Sequence, residues 1–161
     1  MLAEIKMTLA LPRDEMSVPV VRRVLKASMQ TLGVEDSVIS DIELALTEAV
    51  TNVLDHSGHG EEYEVSVGID GEVCAIEVVD RGSGFDSNAL GHGEADVSAE
   101  EGRGIHLMRA LVDHVTFDHV PAVGTVVRLE KKLEWKPDSL AKRLTEDNPV
   151  EDQWGGDADP R

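Results

Sequence analysis

Glu48, Asn52 and His56 recur at every fourth residue through the stretch TEAVTNVLDHS, Thr47–Ser57. In an α-helix, neighbours in such a row lie about 40° apart around the axis, so an acid, an amide and an imidazole share one side. A carboxylate placed there can accept a proton from a hydroxyl or from water. A neutral amide oxygen one turn further on is a hard ligand that suits Mg²⁺, which keeps several waters and needs few protein ligands beside phosphate oxygens. Two glycine pairs follow in the chain. DRGSG (Asp80–Gly84) closes a Val-rich run, and EGRGIHLM (Glu101–Met108) leads into a helical pattern. A Gly-rich entry to a helix turns backbone N–H groups and the positive end of the helix dipole outward, which makes an anion site. Gly102, Arg103, Gly104 and Ile105 fit that description, and Arg103 adds a cation. Taken singly, each motif has a plainer reading as a solvated Glu, a surface Asn or a tight turn. Their combination and order give them weight.

His56 is the least explained of the row. With Asp55 and His59 nearby it raises a transition-metal site, but no cysteine and no second compact histidine cluster supports one. A histidine near the phosphates or at the helix end is the alternative. His92 reads as exposed.

The elements that must position these residues are legible from periodicity. Glu4–Leu11 alternates as a strand ended by Pro12. A helix follows with Ser17 as cap, Pro19 in its first turn, and Val20, Val21, Val24, Leu25, Met29 and Leu32 as its apolar stripe, stopped by Gly33. The second helix starts near Asp36. Ile39, Ile42, Leu46, Ala49, Val50 and Val53 form its core stripe, and Glu48 and Asn52 border it. YEVSVGI and VCAIEVVD are two strands joined at Asp70–Gly71, a hairpin signal. From Arg81 to Gly104 the chain is Gly-rich and polar without periodicity, a connection of a length that usually carries function. GIHLMRALVDH reads as a short third helix, and VTFDHV and GTVVRLEKKL as two more strands with a loop over Asp118–Gly124. The order β-α-α-β-β-loop-α-β-β implies an α+β fold, with helices on one face of a mostly antiparallel sheet. Residues 1–134 form the domain. Residues 135–161, rich in Pro, Gly, Asp and Glu, read as a mostly disordered acidic tail with one helical turn in DSLAKRL.

Composition narrows the partners. The 161 residues suit a single domain with a core of Val, Leu, Ile and Ala, since aromatics are only 3%. A net charge of −17 repels nucleic-acid backbones and anionic membranes. That acidity can serve solubility alone or attract a basic partner. The single cysteine, Cys74, sits in a Val-rich run and reads as core, which fits a reducing compartment. No membrane span or signal peptide is apparent, so a cytoplasmic location is expected.

With these motifs assembled, the chain resembles the ATP-binding fold shared by gyrase B, Hsp90, MutL and the histidine kinases. More closely it resembles the bacterial anti-sigma-factor serine/threonine kinases. EAVTNVLDH looks like the family's N-box, DRGSG and EGRGIHLM like its two glycine boxes, and GTVVRL (Gly124–Leu129) like the Gly-Thr of its last strand. The resemblance runs from about Glu4 to Leu133. It implies a Bergerat-type two-layer α/β sandwich, with residues 86–101 as the ATP lid. It assigns Glu48 as general base and Asn52 as Mg²⁺ ligand. Asp80 would accept a hydrogen bond from the adenine amino group, with Thr125 in support and Gly82 and Gly84 allowing close approach to the base. Gly102, Arg103, Gly104 and Ile105 would lie at the phosphates.

Three functions are compatible with this resemblance. The first is an anti-sigma factor that binds ATP and Mg²⁺, sequesters a sigma factor and phosphorylates an anti-anti-sigma (STAS-domain) protein, typically as a homodimer. The second is a catalytically silent, nucleotide-dependent binding module for a sigma factor or STAS partner, against which the retained Glu48 speaks. The third is a regulator of a phosphatase–STAS pair.

Overall fold

A computed structural model describes residues 4–56, 61–80, 99–120 and 124–146. Strand β1 (Ile5–Pro12) is followed by helices α1 (Ser17–Leu32) and α2 (Asp36–His56) and strands β2 (Glu62–Ile69) and β3 (Val73–Asp80). Helix α3 (Ala99–Leu111), strands β4 (His114–Val120) and β5 (Gly124–Lys132) and helix α4 (Leu140–Glu146) complete the order. The five strands make one antiparallel sheet in the order β1-β2-β3-β5-β4, and α2 packs on α1, α3, β3 and β5. This is the expected α+β architecture.

The two-residue period of each strand sorts the sheet into two chemically distinct faces. Met7, Val67, Ile76, Leu129 and Val115 lie in register across all five strands, with Leu9, Val65, Val78, Val127 and Phe117 as the next row. Both rows belong to the core that the helices cover. The alternate row is Thr8, Ser66, Glu77, Arg128 and Thr116, and there Arg128 donates to Glu77 at 3.0 Å and to Glu130 at 3.2 Å. Cys74 is buried in the core, and its burial, with the nearby Asp70 charge, pushes the thiol pKa up to about 12.

The α2 stripe is buried as its spacing requires. In α1, Val21, Leu25, Met29 and Leu32 are buried, but Val20 is 49% exposed. It stands about 100° around the axis from Val21, outside the arc that meets the core. Gly33 ends α1 in the left-handed region at φ 90, with its N–H bonded to the Met29 and Gln30 carbonyls. Ser17 does not cap. It is the first helical residue, and its hydroxyl donates to the Asp14 carbonyl at 2.6 Å.

The hairpin turn at Asp70 is held by its carboxylate, which accepts from the Glu72 and Val73 amides at 2.7 Å each. Helix α3 starts at Ala99, ahead of the expected Gly104, and stops at Leu111 because Asp113 N–H turns to the Glu130 carbonyl and starts the β4–β5 ladder. Asp118, expected in a loop, pairs with Val126 inside that ladder.

Trp135 and the residues after it pack on the body. Val34 bridges to Trp135, Glu35 N–H donates to Glu134 O at 2.8 Å, and Lys136 N–H donates to Gly33 O at 2.8 Å. Ser139 and Ala141 are buried, and α4 contacts α1. Residues 147–161 lie outside the described residues.

Candidate functional site

Glu48 and Asn52 lie on the border of the α2 stripe. Ala45, Ala49 and Val53 are buried beside them, while Glu48 and Asn52 themselves are half-buried. The glycine motif of α3 meets this border. A Cβ built on Gly104 would lie 2.9 Å from Glu48 Oε2, so the glycine makes room for the carboxylate. Two motifs far apart in the chain thus share one contact. Gly102 lies in the first turns of α3, Arg103 is exposed, and Ile105 is half-buried against the core beside buried Met108.

Asp80 closes β3 on its helix-facing side and is 3% exposed. The β3–β5 ladder runs to the pair Val79–Val126. Thr125, the residue before Val126, is half-buried on β5 and pairs with His119 of β4. Across β2, Tyr63 stands opposite Asp80. Its hydroxyl shares a hydrogen bond with Ser17 Oγ, and burial raises its pKa above the ordinary phenol value, offset in part by that bond. Gly82, Gly84 and residues 86–98 of the expected lid lie outside the described residues, as does the His56 side chain, while residues 99–101 of that expected span open α3.

Sequence reasoning missed Arg13. It follows β1 directly, and its NH1 donates to Asp80 Oδ1 at 2.7 Å, with the two side chains only 10% and 4% exposed. Its NH2 donates to the carbonyls of Val53 at 3.3 Å and Leu54 at 3.2 Å, in the last turn of α2. A buried carboxylate calls for a counter-charge, and that was the available signal. The pairing of β1 with β2 and β2 with β3 is what selects this arginine.

The donor set also bears on what the site can hold. Asn52 and Glu48 offer hard oxygens one turn apart. Among the described residues no group of three or more His, Cys, Asp or Glu gathers as a metal cluster. A single amide oxygen from Asn52 suits an ion such as Mg²⁺, which keeps several waters beside phosphate oxygens. The clearance at Gly104, which lies in the second turn of α3, lets that helix pass close to the Glu48 carboxylate.

Helices layered on an antiparallel sheet, with Glu48 of α2 against Gly104 of α3, accord with an ATPase domain of the histidine-kinase type. Residues 11–131 match the histidine kinase-like ATPase domain family, and the chain belongs to it. Within that family it is similar to an anti-sigma F factor of Pasteuria penetrans, 34% identical over 60% of this chain and 69% of the relative. It is also similar to a serine-protein kinase RsbW of Bacillus cereus, 27% identical over 71% of this chain and 78% of the relative. Among solved structures, the RsbU and RsbW domains of Rv1364c from Mycobacterium tuberculosis superpose with a TM-score of 0.62 at 22% identity. That match covers 80% of this chain and 32% of the other and speaks for the fold. Among the described residues no helix is long and apolar enough to cross a membrane.

Proposed function

We propose that the chain is an anti-sigma factor and a serine/threonine protein kinase. It binds ATP with Mg²⁺, holds a sigma factor, and phosphorylates a STAS-domain anti-anti-sigma protein. It acts in the cytoplasm as a homodimer. The observation that carries this reading is the approach of Gly104 to Glu48, which supports setting the glycine motif of α3 against the acid that the chemistry needs.

In this reading Glu48 accepts the proton of the attacking serine or threonine hydroxyl. The hydroxyl oxygen bonds to the γ-phosphorus, the bond to the β–γ bridging oxygen breaks, and ADP leaves. Asn52 offers its amide oxygen to Mg²⁺, which when bound neutralises charge on the phosphates. Gly102, Arg103, Gly104 and Ile105, in the first two turns of α3, face the phosphate chain in this reading. Asp80 accepts from the adenine amino group with Thr125 in support, and Gly82 and Gly84 let the backbone pass close to the base.

The test is phosphate transfer from γ-labelled ATP with Mg²⁺ to a cognate STAS-domain partner. Glu48→Gln should keep ATP affinity within a few-fold and lower the transfer rate by about 10²–10⁴-fold. ATP binding without transfer to any cognate partner would instead favour a silent binding module. No ATP binding at all would remove the basis of the site.

A further inference from the structure

Arg13 sits between the two halves of the site. One nitrogen holds Asp80 at the end of β3 and the other holds the Val53 and Leu54 carbonyls, one and two residues beyond Asn52 on α2. From Glu48 to Leu54 the helix advances about 9 Å, so a single planar guanidinium ties the strand end proposed for adenine to the helix that carries the proposed general base and Mg²⁺ ligand. Charge-assisted bonds from a rigid fork fix orientation as well as distance. A carboxylate left to rotate would meet the exocyclic amino group of a purine at many angles, and hydrogen bonds weaken steeply with misalignment.

We infer that Arg13 is a positioning residue for base selection, orienting the Asp80 carboxylate so that it accepts the amino group of adenine. This rests on the proposed role of Asp80. It makes adenine preference a property of three elements, the ends of β1, β3 and α2, and not of the D-x-G-x-G segment alone. A structural brace with no part in selection would weaken the binding of every nucleotide equally.

The experiment compares ATP with purine riboside 5′-triphosphate, which lacks the 6-amino group, by equilibrium binding. The wild-type chain is set beside Arg13→Met, Arg13→Lys and Asp80→Asn, each first checked for a cooperative thermal transition without nucleotide. The wild type should prefer ATP by about tenfold or more, the scale of a hydrogen bond to a charged acceptor. Arg13→Met should bring that ratio towards one. Arg13→Lys keeps the charge but cannot span the carboxylate and both carbonyls, so its ratio should fall between the two. In the Asp80→Asn background, adding Arg13→Met should leave the ratio unchanged, because the carboxylate it orients is gone. If Arg13→Met does not fold, Arg13→Lys decides alone.

A wild-type ratio kept in both Arg13 variants, with affinity for both nucleotides lowered together, would overturn the inference. So would tighter ATP binding by Arg13→Met, which would make Arg13 a competitor of the base. A wild-type chain that binds both nucleotides equally would instead show that Asp80 does not read the amino group, and the inference would fall with that reading.

Discussion

The two ends of α2 are secured by opposite means. At its N-terminal end the chain is clasped by backbone. Glu35 N–H donates to Glu134 O, Lys136 N–H donates to Gly33 O, and Val34 bridges to Trp135. The ion pair there, Lys136 with Asp36 at 3.1 Å, is exposed on both sides. At its C-terminal end a buried guanidinium makes the attachment, reaching a carboxylate and two carbonyls. A backbone clasp tolerates almost any side chain but no intruding Cβ. A buried charge clamp tolerates shape change poorly and loss of charge worse. The end beside the candidate nucleotide site is therefore the one whose chemistry can be tuned by a single residue.

This contrast can be broken in order of expected effect. Arg13→Met should cost about 3–5 kcal/mol of stability, because it removes the counter-charge that Asp80 meets inside the protein. Denaturant unfolding measures this. A cost below about 1 kcal/mol, the scale of an exposed pair, would mean that the charge clamp contributes little to α2.

Gly33→Ala should cost about 2–3 kcal/mol. A Cβ there would lie 2.5 Å from Ser139 Cβ, and φ is already 90. The same loss in a chain truncated after Leu133 would show that Ser139 is irrelevant and only the backbone angle matters.

Gly104→Ala should leave the melting temperature nearly unchanged, because the obstructing atom is the far end of the flexible Glu48 side chain. Displacing that carboxylate should lower phosphate transfer about tenfold or more, with little change in ATP affinity. A loss confined to affinity would separate Gly104 from the chemistry. Lys136→Met, last in size, should change stability by no more than about 0.5 kcal/mol. A larger loss would mean that the N-terminal clasp also depends on charge.

How far the sequence disclosed these features follows from the kind of force involved. The α2 stripe was legible because burial of Ile39, Ile42, Leu46, Ala49, Val50 and Val53 follows a helical period, and the Glu48–Asn52 pair could be read as its polar margin. The hairpin at Asp70 was legible because turn chemistry is local. Arg13 was not, since its partner is chosen by pairing among three strands, and no local pattern encodes that choice. The docking of Trp135–Ala141 was hidden because its composition reads as solvated while its attachments run through main-chain atoms of Gly33 and Glu35. The start of α3 was hidden because Gly102 and Gly104 suggest an entry point when they in fact lie within the helix. Val20 shows the resolution of periodicity itself, since one residue's rotation separates core from solvent.

Trp135 has one more consequence. Its indole N–H donates to the Gly71 carbonyl at 2.9 Å, fastening the segment after β5 to the β2–β3 turn. The chain has two tryptophans, and the other, Trp154, lies outside the described residues. With Trp154→Phe, and excitation selective for indole, tryptophan emission would come from Trp135 alone. Its wavelength and quenching would then report in real time, without an added label, whether the segment is docked as nucleotide or partner proteins are titrated.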